Sequence, residues 1–338
     1  MSFVLHVDGE RWRAAHDRFL ADRPGLVPVV KGNGYGFGRD LLCAEAARLG
    51  VPMVAIGTYA ELPETLGWFG GDVLVMEPFR TTIHSGLPDL AHGRAVHTVT
   101  TREDLAALRA ANPTARVVVE GLTSMNRFGT PMTEVAALVG EADAVGVTLH
   151  LPLGTGHVEE ISRFVAAVPG ELTWYVSHVS AAELAELHRR HPGLEFRPRI
   201  GTDLWYADKG SYEVRAHVLD VRAVGRGARA GYRQRPVPAG HVVVVSGGTS
   251  HGVAMESPSS AATARTRAVA VAEGVLEAAH RVRSPFTVSG TMPRFAEPPH
   301  MQCSLLALPE GITPPRVGDE VTVRMRLTTT TPDAIVVS

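Results

Sequence analysis

The sequence predicts an α/β protein, a (β/α)8 TIM barrel followed by a smaller, mostly β C-terminal domain. Three observations carry this. Short, β-branched apolar runs alternate with amphipathic helical stretches through the first two thirds of the chain. The alternation stops near Tyr212 and gives way to strand-like runs parted by Gly/Pro turns. The chain has 338 residues, more than one compact core usually holds.

The elements follow in order. Trp12, Ala15 and Phe19 fall at helical spacing. LVPVV (26–30) is the first barrel strand, ended by a glycine cluster. Strand-like runs recur at 53–57, 73–77, 95–99, 116–120, 146–151, 172–177 and 195–200, with helical patterns between most of them. Thr130-Pro131 reads as an N-cap followed by proline at the first helical position. Ser180 to Glu183 reads as a capping box. Eight strands in this rhythm suit a barrel; a doubly wound open sheet is the alternative from rhythm alone. The barrel is assigned to 1–212. The β domain is assigned to 213–338, with an inserted helix near 262–282.

Bulk properties exclude several classes. A formal charge of −2 leaves no basic footprint for nucleic acid. No apolar run approaches the roughly 18 residues that span a bilayer, so no membrane partner is expected. The N-terminus lacks a basic n-region followed by an apolar h-region. The only two cysteines, Cys43 and Cys303, read as free thiols in a reducing compartment, hence a cytoplasmic protein. No metal is expected. Of 33 basic residues 31 are arginine, leaving only Lys31 and Lys209. A lysine that survives such a bias is a candidate for amine chemistry that arginine cannot perform.

Lys31 lies at the C-terminal end of the first strand, where barrels place their chemistry, in VVKGNGYGFG (29–38). The glycines fit neither G-x-G-x-x-G nor a P-loop. The segment resembles the attachment motif for pyridoxal 5'-phosphate (PLP) in the alanine racemase family, with Tyr35-Gly36 four residues after the lysine. Further segments resemble that family in the same order. These are TSMNRFG (123–129), with Ser124 in place of a glycine, GVTLHL (146–151), VSAA (179–182) and RIGTDLW (199–205). The resemblance implies a fold-type III PLP enzyme acting on a small amino acid. Lys31 holds the cofactor as a Schiff base and acts as acid and base on one face of Cα. Tyr35, Ser180, Gly201 and Thr202 bind the phosphate. Arg127 lies by the ring hydroxyl, His150 at the ring face and Arg199 at the pyridine nitrogen. A permanently charged Arg199 leaves that nitrogen unprotonated, which favours the racemase branch over related barrel decarboxylases. Many family members carry a carbamylated lysine seven residues before the arginine; here Glu120 supplies the negative partner of Arg127 directly. Sites of the family are built between two chains, which implies a head-to-tail homodimer.

The resemblance extends into the β domain through 227–245 and 314–323 but breaks at the second base. Thr249 stands at the position of the family's tyrosine and His251 at that of its aspartate. The family's Met-Asp pair near the substrate reads Met301-Gln302. Three readings follow. His251, Tyr232 or a group from the inserted helix serves as second base of a racemase; or Lys31 works alone in exchange, elimination or transamination; or the protein is a non-catalytic PLP-binding module. A barrel that binds a phosphorylated metabolite without PLP is a fourth.

Overall fold

A computed structural model describes residues 2–87, 89–255 and 283–338. They divide into two compact units, 13–208 and 2–12 together with the rest of the described chain from 209. The expected inserted helix near 262–282 lies outside the described residues.

The first strand is β1 (Phe3–Val7), and helix Gly9–Ala21 leads from it into the larger unit. That unit holds eight parallel strands: β2 (Val27–Pro28), β3 (Met53–Ile56), β4 (Asp72–Pro78), β5 (Ala95–Val99), β6 (Arg116–Gly121), β7 (Gly146–Leu149), β8 (Thr173–Ser177) and β9 (Glu195–Ile200). Each pairs with the next in sequence from β3 to β9, and β9 pairs with β2. A parallel bridge between Val29 and Ala55 joins the two ends of this order, so the sheet is a barrel and not an open doubly wound sheet. Strands β3, β5 and β7 are buried at every residue, as expected where side chains fill the interior and helices cover the outside.

The helices bury one stripe each. Val158, Ile161 and Phe164 are the apolar stripe of His157–Ala167, and Leu184 and Leu187 that of Ala181–Arg190. The capping box at Ser180 forms as its sequence predicts: the Ser180 hydroxyl accepts the Glu183 amide, and the Glu183 carboxylate accepts the Ser180 amide. The cap expected at Thr130 shifts by one residue. The helix starts at Met132 with Pro131 at its cap, and the Thr130 hydroxyl instead donates to Thr100 O.

The smaller unit is a mostly antiparallel sheet around β10 (Tyr212–Val224), which pairs with Gly240–Ser246, Glu320–Val323 and β1. The sequence boundary of 1–212 therefore differs from the structure at its N-terminal end. Phe3 to Val7 bond to Ala216 to Tyr212, and the same strand runs parallel to Ala334–Val337. An apolar strand with an open edge belongs to whichever sheet supplies its hydrogen bonds.

Candidate active site

Lys31 stands at the rim of the barrel, just past the bond from the Val30 amide to Ala55 O (2.7 Å). The loop after it turns back on itself. Gly32, Gly34, Gly36 and Gly38 hold positive φ, and so does Tyr35 (φ 56°), a conformation that non-glycine residues reach at a cost and that recurs at functional sites. The Lys31 side chain reaches solvent, yet its amine is held below the usual lysine range. Burial of the amine end is the first cause, and the charges of Arg127 and Arg199 add to it, while Glu61 opposes.

Arg199 lies inside the barrel on β9 and is 4% exposed. Its Nη2 donates to Leu149 O (3.1 Å), and its Nε has no partner among the described residues. Burial draws it down to about 10, Glu120 opposes that shift and Arg127 adds to it, so Arg199 remains a cation at neutral pH. Glu120, next to last in β6, is 2% exposed, and burial pushes its carboxyl up to about 7. The charge that pulls hardest against this is Arg199, ahead of Arg127 and Arg80, so the sequence-based pairing of Glu120 with Arg127 alone is too narrow. His150 follows β7 directly. Burial, then Arg199 and Arg127, bring it to about 3, which keeps its imidazole neutral, and its Nδ1 has no partner among the described residues. The structure thus gathers Lys31, Arg127, Glu120, His150 and Arg199 into one electrostatic cluster.

Arg127 rides on a loop whose ends are tied by hydrogen bonds from the Thr130 amide to Glu120 O (2.7 Å) and from the Leu122 amide to Thr130 O (2.8 Å). The Thr123 hydroxyl donates to His150 O, and Glu160 accepts both the amide and the hydroxyl of Ser124 (2.6 and 2.7 Å). The departure from the family's glycine at Ser124 therefore has a local use. Glu160 escaped the sequence reading because its partner lies 36 residues away. The Arg127 guanidinium is exposed, 4.1 Å above the Phe128 ring.

Tyr35 and Gly201, both assigned to the phosphate, are brought into contact. A Cβ on Gly201 would lie 2.0 Å from the Tyr35 hydroxyl, so only glycine leaves room there. Tyr206 donates to Tyr35 O and Trp205 to Val29 O, each at 2.8 Å, pinning the short helix Thr202–Trp205 to the segment that follows β2. Burial holds the Tyr35 phenol well above its usual range, so it is a neutral hydroxyl that can donate to an anion. Thr202 is exposed in the first turn of that helix, and the Ser180 hydroxyl is engaged with Glu183. Gly201→Ala is expected to displace the Tyr35 tip and weaken PLP binding about tenfold, equivalent to about 1.4 kcal/mol. An absorbance titration with PLP checks this; unchanged affinity would mean that Tyr35 does not reach the phosphate.

In the smaller unit, Thr249, Met301 and Gln302 line a cleft of about 610 Å³ with Tyr232, Glu297 and His300. His251 is not part of that lining. It is 8% exposed, its Nε2 is 3.1 Å from Asp333 Oδ1, and its Nδ1 accepts the Gly248 amide (3.2 Å). Phe3 packs on its ring at 4.9 Å. Both nitrogens are engaged, so His251 ties its loop to Gly248 and Asp333. His300 does line the cleft. Its Nε2 is 2.5 Å from Oε1 of buried Glu297, which also accepts the Tyr232 amide (3.0 Å). Burial alone would raise Glu297, but these bonds outweigh it and hold the carboxyl below its ordinary value. The Nε2 proton is therefore assigned toward Glu297, leaving Nδ1 as acceptor, 3.8 Å from Cys303 Sγ. Burial pushes the Cys303 thiol up, which argues against a thiolate. Tyr232, 85% exposed, lies over the His300 ring at 4.4 Å.

Residues 10–193 match the family described as "Alanine racemase, N-terminal domain". Among solved structures, the chain is similar to alanine racemase from E. faecalis, with 20% identity, 100% of this chain and 98% of that one covered, and a TM-score of 0.72. It is similar to alanine racemase from Bartonella henselae with covalently bound pyridoxal phosphate, with 14% identity, 100% and 99% covered, and a TM-score of 0.71. It is also similar to histidine racemase from Leuconostoc mesenteroides subsp. sake, with 14% identity, 100% and 98% covered, and a TM-score of 0.71. At these identities the likeness is one of fold. No curated protein matches the chain in sequence.

Proposed function

The chain belongs to the family of the alanine racemase N-terminal domain, and from that premise we propose that it binds PLP on Lys31 and interconverts the enantiomers of a small amino acid. The observation that carries this is the cluster around Lys31. Arg199 Nε and His150 Nδ1 are buried and without partners among the described residues, and Tyr35 with Gly201 forms a cradle that a Cβ would fill. These residues fit PLP: a cation for the ring nitrogen, an imidazole for the ring face, a hydroxyl for the phosphate. Arg127 would face the ring hydroxyl, and Ser180 and Thr202 would help to hold the phosphate.

When bound, PLP supplies the electron sink that makes the Cα–H of an amino acid acidic. The chain's own residues do the rest. Lys31, its amine made easier to deprotonate by burial and by Arg127 and Arg199, takes or returns the proton on one face of Cα. Arg199 stays charged and would leave the ring nitrogen unprotonated, tempering the sink in favour of proton return over side reactions. The second proton carrier would come from the partner chain of the dimer, and the candidate is His300, oriented by Glu297 as bases are oriented by a carboxylate in other acid–base pairs. Thr249, Met301 and Gln302 contact the substrate. The reading carries with it a cytoplasmic, head-to-tail homodimeric enzyme; no described helix is long and apolar enough to cross a membrane.

The test is reconstitution with PLP and a screen of L- and D-amino acids in D2O, following Cα by NMR and enantiomers by chiral chromatography. A racemase turns one enantiomer into two with deuterium at Cα. Deuterium without inversion, or a keto acid, means that Lys31 acts alone, and neither outcome means a binding module. In His300→Gln, inversion is expected to fall by about 10²-fold or more while exchange on the Lys31 face persists. Undiminished inversion removes His300 from the mechanism.

A further inference from the structure

The loop that bears Lys31 closes on itself through the Gly34 amide to Lys31 O (3.0 Å) and the Phe37 amide to Gly34 O (2.9 Å), and a side chain from outside it adds a further tie. One Glu61 carboxylate oxygen accepts the Gly32 amide at 2.6 Å. The other accepts the Gly57 amide at 2.6 Å and the Thr58 amide at 3.2 Å. A single carboxylate thus ties the residue after Lys31 to the end of the neighbouring strand β3. We propose that Glu61 is the positioning residue of Lys31, setting both where its side chain stands and the negative charge it faces. This rests on the reading of Lys31 as the cofactor lysine for its functional meaning only.

Ordinary helix capping does not explain the arrangement. Thr58 and Glu61 do form a capping box ahead of helix Leu62–Trp68, which accounts for the Thr58 amide. It does not account for Gly32, 29 residues away in sequence and adjacent to the lysine. The glutamate is itself held in place: the Thr65 hydroxyl (2.8 Å) and Arg39 Nη1 (3.2 Å) both donate to its backbone carbonyl. Gly57 belongs to the same device. A Cβ there would lie 3.1 Å from Lys31 Cβ and 3.2 Å from Glu61 Oε2, so its absence lets the lysine stem pass beside the carboxylate. Three amides thus converge on the two oxygens of one negatively charged carboxylate. That charge supports the Lys31 ammonium against burial and the cations Arg127 and Arg199; His150 and His178 also feel the lysine's charge.

With only two lysines in the chain, the test is direct. Reductive 13C-methylation of the cofactor-free protein labels Lys31, Lys209 and the N-terminal amine, and a Lys31→Arg variant identifies the Lys31 signal. In Glu61→Gln, which keeps the shape but loses the charge and one acceptor oxygen, the Lys31 signal is expected to titrate at lower pH than in wild type, with Lys209 unmoved. Glu61→Asp retains the charge and is expected to restore part of that titration. PLP affinity of Glu61→Gln is expected to fall about tenfold. Identical Lys31 titration in wild type and Glu61→Gln overturns the proposal. If wild type instead takes up no PLP while the Lys31 titration still depends on Glu61, the cofactor reading fails and the positioning role stands.

Discussion

Lys31→Ala is expected to abolish covalent attachment of PLP and to lower any racemisation by at least about 10³-fold, since the variant loses both the anchor and the proton carrier of one face. Borohydride reduction followed by peptide mass mapping reads the first effect cleanly, because Lys209 is the only other lysine available to be trapped. Wild type should yield one reduced adduct, on Lys31. An adduct on Lys209, or activity retained in Lys31→Ala, would sink the assignment. Arginine could not substitute at this position, because its guanidinium stays protonated and does not form the imine. The tuning of the site has the same physical basis. Burial, Arg127 and Arg199 together make the Lys31 amine easier to deprotonate, while Glu61 limits that shift.

The second large effect concerns Glu120. Its carboxyl is raised by burial to about 7, above the value of a solvated glutamate. The folded state therefore holds the Glu120 proton more tightly than the unfolded chain does. The stability this contributes is fully present below the unfolded value and is lost as pH rises through about 7. Its size is on the order of 3 kcal/mol. Denaturant unfolding of the cofactor-free protein across that range should show wild type losing stability relative to Glu120→Gln as pH rises; parallel curves would contradict the assignment. Glu120→Gln also removes the negative charge opposite Arg199 and Arg127 and is expected to loosen PLP binding. Unchanged PLP affinity counts against Glu120 as their partner. The two readouts separate the buried carboxyl's cost to the fold from its service to the site.

Much of the architecture is legible in the sequence. The alternation of apolar runs and amphipathic stretches reports burial on both faces of parallel strands, and burial is a local property of sequence. The Arg-for-Lys bias marked Lys31, and the glycine cluster after it marked a loop of unusual backbone, now seen as a run of positive φ values including Tyr35. The Thr58 to Glu61 spacing could have marked Glu61 as a cap, although its bond to Gly32 leaves no local sign.

What the sequence by itself determined was the barrel, the β domain after it, and the lysine at the end of the first barrel strand. Tertiary structure alone decided which distant groups share hydrogen bonds. Phe3–Val7 joined the sheet of the β domain, whose strand Tyr212–Val224 offered its edge. Glu160 took Ser124, and Arg199 became the main charge facing Glu120. His251 took Asp333, 82 residues away, and His300 took Glu297. The physical reason is common to all of these. Periodicity encodes which face of an element is buried, whereas a hydrogen bond or a Coulombic pairing depends on where the fold brings two remote side chains, and nothing near either residue records that.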